Sequence, residues 1–238
     1  MDTAGRPRDA VVVAIDGPSG TGKSSTSRAV ATELGLRYLD TGAMYRAMTW
    51  WMLANQIDPG DPVAVATASG KPVLLSGTDP LAPTISVDGA DVSGPIRSEE
   101  VTAAVSAVSA VPEVRSRLVE LQRAAVAAAA SAGGIVVEGR DIGTTVVPDA
   151  TVKIYLNASP EARAARRNGE LTGARAVGVE ATREALVRRD AADSGRKVSP
   201  LAKAEDAVEI DTTDLTLDQV IEAVVGLVER RRRERNLG

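Results

Sequence analysis

Hydrophobic positions fall along this chain in short blocks whose spacing separates strands from helices. Val11-Val12-Val13-Ala14-Ile15 is continuous rather than alternating and stops at Asp16-Gly17. Such a run suits a strand covered on both faces of a parallel sheet. Residues 22–34 place Ala29, Val30 and Leu34 at helical spacing, with Gly35 positioned to stop the helix. A second strand is predicted over 36–40, and Thr41, which also reads as a helix N-cap, opens a helix to about Asn55. Strand, turn, helix and strand in this order make a βαβ unit.

The pattern changes between 56 and 100, where Pro and Gly punctuate short apolar runs and regular helix is not expected beyond about Ser69. Small strands are predicted over 71–76 and 83–92, with Asp88-Gly89 as a hairpin turn after Ile85-Ser86-Val87. Alternating apolar residues are not linker composition, so this is an antiparallel insertion between core elements. Helical spacing returns over 96–132, broken near Pro112 and closed by Gly133-Gly134. Buried strands follow at 135–138 and 151–156, then a helix with Ser159 as cap and Pro160 in its first turn. A helix over 180–192, a short strand over 207–211 and an amphipathic helix over 216–235 complete the chain.

The chemistry sits at the carboxyl ends of these strands. Gly17-Pro18-Ser19-Gly20-Thr21-Gly22-Lys23-Ser24 has the spacing G-x-x-x-x-G-K-[ST] between a strand and a helix. Glycines let backbone approach phosphate, Lys23 reaches the outer phosphates, and Ser24 offers a hydroxyl to Mg²⁺. The following helix adds its N–H groups and positive dipole end. The strand at 135–138 delivers Gly139-Arg140-Asp141 to the same end of the sheet, where open α/β folds hold ligands. Phosphoryl transfer and nucleotide-driven switching both fit. No Asn-Lys-x-Asp guanine reader is present, and Glu138 and Asp141 replace the Asp-Glu ending usual in motor ATPases.

Composition narrows the chemistry further. The 238 residues contain no Cys, His or Phe, which excludes thiol nucleophiles, disulfides, imidazole bases and soft-ligand metal sites. Carboxylates, Lys, Arg, hydroxyls and Mg²⁺ remain. A formal charge of −4 argues against a nucleic-acid partner, and Arg230 to Arg233 with Arg235 read as cations complementing a helix end. The polar N-terminus and the short apolar run after it match neither a leader nor a membrane span, so a cytoplasmic protein is expected. Arginines at element ends, Arg46, Arg115, Arg140, Arg163, Arg166, Arg167, Arg189 and Arg196, are placed as a small-molecule kinase would need them.

GPSGTGKS, YLDTGAMYR at 38–46, IRSEEV at 96–101, VEGRDIGTTVVPDA at 137–150 and RRDAADSGR at 188–196 together resemble the bacterial cytidylate kinases. The resemblance runs from about residue 11 to about 227. It implies an α/β P-loop three-layer fold: a central parallel five-stranded sheet, a nucleoside-monophosphate-binding insertion at about 63–96 within a core of 11–62 and 97–228, and a helical lid at about 160–180. Residues 1–10 and 229–238 lie outside it. It also implies transfer of the ATP γ-phosphoryl group to CMP or dCMP, with Mg²⁺, by a monomer. Gly17 to Ser25 would bind ATP, with Lys23 catalytic and Ser24 on the metal. Thr41, Arg46 and Arg140 would face the acceptor phosphate; Ser106, Arg115, Asp141 and Arg196 the cytosine; Arg189 and Asp193 the sugar and phosphate. Arg163 and Arg166 of the lid would supply cations to the transition state, although spacing does not choose among the lid arginines. A kinase for UMP, dTMP or a non-nucleotide metabolite, and an ATP-sensing regulator, are the alternatives the motifs leave.

Overall fold

A computed structural model describes residues 10–170, 178–196 and 198–237. In chain order it contains β1 (Val11–Asp16), α1 (Lys23–Glu33), β2 (Arg37–Asp40), α2 (Thr41–Ala54), α3 (Pro62–Ala68), β3 (Leu74–Ser76), β4 (Ile85–Val87) and β5 (Ala90–Asp91). Then come α4 (Glu99–Ala110), α5 (Pro112–Ala129), β6 (Gly134–Gly139), β7 (Val152–Asn157), α6 (Pro160–Glu170), α7 (Val179–Ser194), β8 (Val208–Asp211) and α8 (Leu217–Leu237).

Five strands pair in the order β2-β6-β1-β7-β8, every pairing parallel. β1 and β6 are buried along their whole length, as their unbroken apolar runs require. Successive residues face opposite layers. Val11, Val13 and Ile15 pack with α1 and α8 through Val30, Val220 and Val224, while Val12 and Ala14 pack with α2 and α5 through Met48 and Leu118. This is the three-layer α/β arrangement expected of a P-loop kinase. Each such fully buried side chain contributes about 1.5–3 kcal/mol, so the two central strands form the stiff frame on which the site is hung.

The insertion is an antiparallel sheet in the order β3-β4-β5. The predicted turn is present: Asp88 and Gly89 have φ of 51° and 84°, the pair of positive angles a two-residue hairpin loop demands. Asp88 also accepts the Val73 N–H at 2.8 Å and the Trp51 Nε1–H at 2.9 Å, which ties the turn to α2. Val65, Leu74, Ile85 and Val87 join the same core cluster as Met48. The insertion therefore extends the main core over α2 instead of building one of its own.

Three details differ from the pattern-based reading. The helix expected from residue 96 starts at Glu99, because Ser98 caps it by accepting the Val101 N–H and residues Pro95–Arg97 form a 3₁₀ turn. Asp40, not Thr41, caps α2, accepting the Ala43 N–H at 2.9 Å. A π-helical turn, Ile142–Val146, follows β6 where no regular element was expected. The lid expected at 160–180 falls partly on 171–177, outside the described residues, as does most of the tail at 1–10. Among the described residues no helix is long and apolar enough to cross a membrane. In α8, Arg231 pairs with Glu234 and Arg233 with Glu229.

Candidate active site

β1 and β6 end side by side, Asp16 opposite Gly139, and the segments leaving them open onto one cavity. At Gly17 the chain turns with φ of 146°, and a Cβ there would lie 2.1 Å from the Leu156 carbonyl oxygen, so only glycine lets the loop pass this close to β7. Gly22, at φ of 85°, precedes α1 and has nothing within 4 Å of a Cβ position. The start of α1 is thus uncovered, as a phosphate approaching its amides requires. Three successive loop carbonyls are braced by cations from three elements. Gly17 O accepts from Arg140 at 2.8 Å, Pro18 O from Lys23 at 2.6 Å and Ser19 O from Arg163 at 3.2 Å.

The metal position can be judged from its donor set. Ser24 donates its hydroxyl to Glu138 Oε1 at 2.8 Å, and Tyr38 donates to the same oxygen at 2.9 Å. Glu138 Oε2 is buried and has no hydrogen-bond partner. Among the described residues there is no cluster of three or more His, Cys, Asp or Glu able to cage a metal. One hydroxyl and one carboxylate with an unmatched oxygen fit a Mg²⁺ that takes its remaining ligands from phosphate and water. Burial, then Asp40, pushes the Glu138 carboxyl up, against the pull of Lys23. Burial, then Arg140, pushes the Lys23 ammonium down, against the pull of Glu138.

Lys23, Arg46, Arg140, Arg167 and Arg189 all line the cavity. Burial brings Arg46 down to about 10, with Arg167 next among the causes. It brings Arg189 down to about 9, with Arg140 and Arg46 adding to it. Arg46 and Arg189 remain charged at neutral pH with more guanidinium than carboxylate groups acting on them, which suits a polyanion. Arg46 is steadied by the Ile96 carbonyl at 3.1 Å and the Thr102 hydroxyl at 2.9 Å. Thr41 also lines the cavity, its hydroxyl donating to the Glu138 carbonyl at 2.7 Å.

Beside the cations lies a buried polar network. Arg115 meets Asp141 at 2.6 Å, donates to the Ser109 carbonyl at 3.1 Å and lies 5.2 Å from the centre of the Tyr45 ring. Arg196 donates to the Ser109 hydroxyl at 2.9 Å and to Asp193. Asp193 also meets Arg140 at 2.5 Å. One chain of contacts therefore runs from Asp141 to the P-loop carbonyl of Gly17.

A sequence profile described as cytidylate kinase matches residues 13–230, nearly the whole chain. The chain belongs to the cytidylate kinase family. A cytidylate kinase of Streptomyces griseus subsp. griseus is 71% identical over 225 residues, covering 94% of this chain and 95% of that protein. A cytidylate kinase of Streptomyces coelicolor is 72% identical over 223 residues, 94% of each. One of Streptomyces avermitilis is 69% identical over 229 residues, 96% of this chain and 97% of that protein.

Within this cytidylate kinase fold, most residues singled out from the sequence converge on the cavity: Ser19, Lys23, Ser24, Thr41, Arg46, Arg115, Arg140, Asp141, Arg189, Asp193 and Arg196. Ser106 is half-buried on α4, its carbonyl accepting from Ser109, and it is Ser109, one turn on, that lines the cavity. Arg163 is held by Asp190 and Ser19, and Arg166 donates to Thr212; neither lines the cavity, whereas Arg167 does. Ser25 is exposed on α1. Tyr45, Ser109 and Asp40 were missed as lining residues, and Arg167, one of the lid arginines that spacing could not choose among, is the one that lines the cavity. Tyr45 and Asp40 lie inside the YLDTGAMYR run, so their signal was present.

Proposed function

We propose that this chain is an ATP-dependent cytidylate kinase that transfers the γ-phosphoryl group of ATP to CMP or dCMP, giving CDP or dCDP and ADP. The observation that carries this reading is the set of cations, Lys23, Arg46, Arg140, Arg167 and Arg189, lining one cavity that the buried Arg115–Asp141 pair also lines. The P-loop and the N-terminus of α1 would hold the ATP phosphates, with Lys23 released from the Pro18 carbonyl to reach them. Ser24, with Glu138 behind it, would hold Mg²⁺, which when bound shields charge on the transferring group. Arg46 and Arg140 would fix the acceptor phosphate in line with the donor, and Arg167 is the lid arginine best placed to offset charge developing between them. An anionic phosphate oxygen is already a nucleophile, so no general base is required and no covalent intermediate forms.

Base choice follows from hydrogen-bond polarity. Cytosine presents an N4 donor beside N3 and O2 acceptors. Asp141 can accept from N4 while Arg115 and Arg196 donate, and uracil would turn O4 toward the carboxylate. Ser109, held between Arg115 and Arg196, supports this wall, with Ser106 one turn away. Asp193 and Arg189 flank the sugar and phosphate. ATP and CMP or dCMP are then the partners of a cytoplasmic monomer that binds neither nucleic acid nor membrane, the first of these absences in keeping with its formal charge of −4. Steady-state comparison of CMP, dCMP, UMP and dTMP with ATP and Mg²⁺ tests the assignment: CMP and dCMP should lead, and a clear preference for UMP would overturn it.

A further inference from the structure

β1 ends at Asp16, immediately before the P-loop, and Asp16 is not among the residues lining the cavity. Its side chain is nevertheless buried, and it grips another strand's loop. Oδ1 accepts the Ile142 N–H and Oδ2 the Gly143 N–H, both at 2.8 Å. These amides open the π-helical turn that follows Arg140-Asp141, and the turn's own leading residue, Asp141, caps neither with its side chain. The first amides of a helical turn have no partner within it, and leaving them buried and unpaired is destabilising. The turn is also close: a Cβ on Gly143 would lie 3.4 Å from Asp16 Oδ2 and 3.1 Å from Lys153 Cδ.

The grip is reciprocal. While the Asp16 side chain holds the main chain at 142–143, the Arg140 side chain holds the main chain at Gly17. The two strand ends are clasped from both sides around the pairing of Asp16 with Gly139. We propose that Asp16 is a positioning residue, which fixes Arg140 and Asp141, and through them the acceptor nucleotide, relative to the P-loop. The proposal rests on reading Arg140 and Asp141 as acceptor ligands.

Asp16→Asn tests it with little change of shape. An Asn oxygen can accept one of the two amides, but its NH₂ must face the other, so one bond is lost. The KM for CMP should rise roughly tenfold, the factor set by one lost hydrogen bond to a charged acceptor, with the KM for ATP within about twofold of wild type. An unchanged KM for CMP, or an equal rise in both KM values alongside a lower melting temperature, would overturn the proposal. Arg140→Ala run in parallel separates the two readings. If it leaves the KM for CMP unchanged, the acceptor assignment fails; if it raises that KM and Asp16→Asn does not, the clasp alone fails. Should Asp16→Asn not fold, hydrogen exchange on the wild-type protein decides. CMP should slow the Ile142 and Gly143 amides at least tenfold, and a non-hydrolysable ATP analogue alone should not; equal protection by both, or none by CMP, overturns the proposal.

Discussion

Arg115 and Asp141 supply the sharpest quantitative test, because their attraction should appear in stability before any substrate is added. Their side chains are 3% and 6% exposed and meet at 2.6 Å. Two unit charges about 4 Å apart attract by about 4 kcal/mol at an effective dielectric constant near 20. Removing one member of a buried pair costs about 3–5 kcal/mol, because the survivor stays buried without compensation. Asp141→Leu leaves a guanidinium that keeps the Ser109 carbonyl and the Tyr45 ring, so about 3 kcal/mol is expected. Arg115→Met strands the carboxylate and should approach 5 kcal/mol. The double variant, apolar on both sides, should lie close to wild type, so the coupling energy in urea unfolding of the four proteins at pH 7 should be about 8 kcal/mol. In a chain of this size about 3 kcal/mol corresponds to roughly 6–12 °C in melting temperature. All three variants should also lose the preference for CMP over UMP by about 10- to 100-fold, since a bidentate base contact is worth about 1–3 kcal/mol. A coupling below about 1 kcal/mol, the size found for exposed pairs, would refute the burial argument. A double variant that kept its CMP preference would refute the base-reading one.

Lys23→Ala should lower kcat by about 10²–10³-fold, the cost of one lost electrostatic contact to the transition state, without lowering the melting temperature, because burial and Arg140 already disfavour that ammonium; a coupled ADP-release assay and a thermal melt read the two. Arg167→Ala should cut kcat with little effect on stability, whereas Arg166→Ala, which removes the bonds to Thr212, should lower the melting temperature and spare kcat; the reverse order would show that the other arginine serves the phosphates. Burial raises Asp16 to about 6 from 3.8, helped by Asp141 and opposed by the Gly143 and Ile142 amides and by Lys23, with Tyr155 facing it from β7. A carboxyl whose folded pKa is raised binds more protons folded than unfolded between about 4 and 6, so its contribution to stability falls by roughly 3 kcal/mol as pH rises through that window. Unfolding of wild type minus Asp16→Asn, followed across pH 4–7, should show that decline; a rise with pH would contradict it.

Local pattern alone was enough for the frame of this protein. The unbroken apolar runs of β1 and β6 could only be strands covered on both faces, the G-x-x-x-x-G-K-S spacing could only turn as it does with glycine at Gly17 and Gly22, and Asp88-Gly89 accepted the two positive φ angles of a hairpin. These features depend on residues close in sequence, so sequence carries them. What the tertiary structure decided is which side chains meet. Ser106 and Ser109 lie near one another on the same face of α4, and Arg163, Arg166 and Arg167 share one helix; helical periodicity cannot say which of them turns toward the cavity until the helix is docked. The cap of α2 went to Asp40 because the Thr41 hydroxyl is drawn to the Glu138 carbonyl, a contact 97 residues away in sequence. The clasp of Asp16 on Ile142 and Gly143, 126 and 127 residues away, and the bond from Ser24 to Glu138 exist only because β6 slots between β2 and β1. Strand order is set by how the layers bury their apolar faces together, a property of the whole chain that no single segment contains.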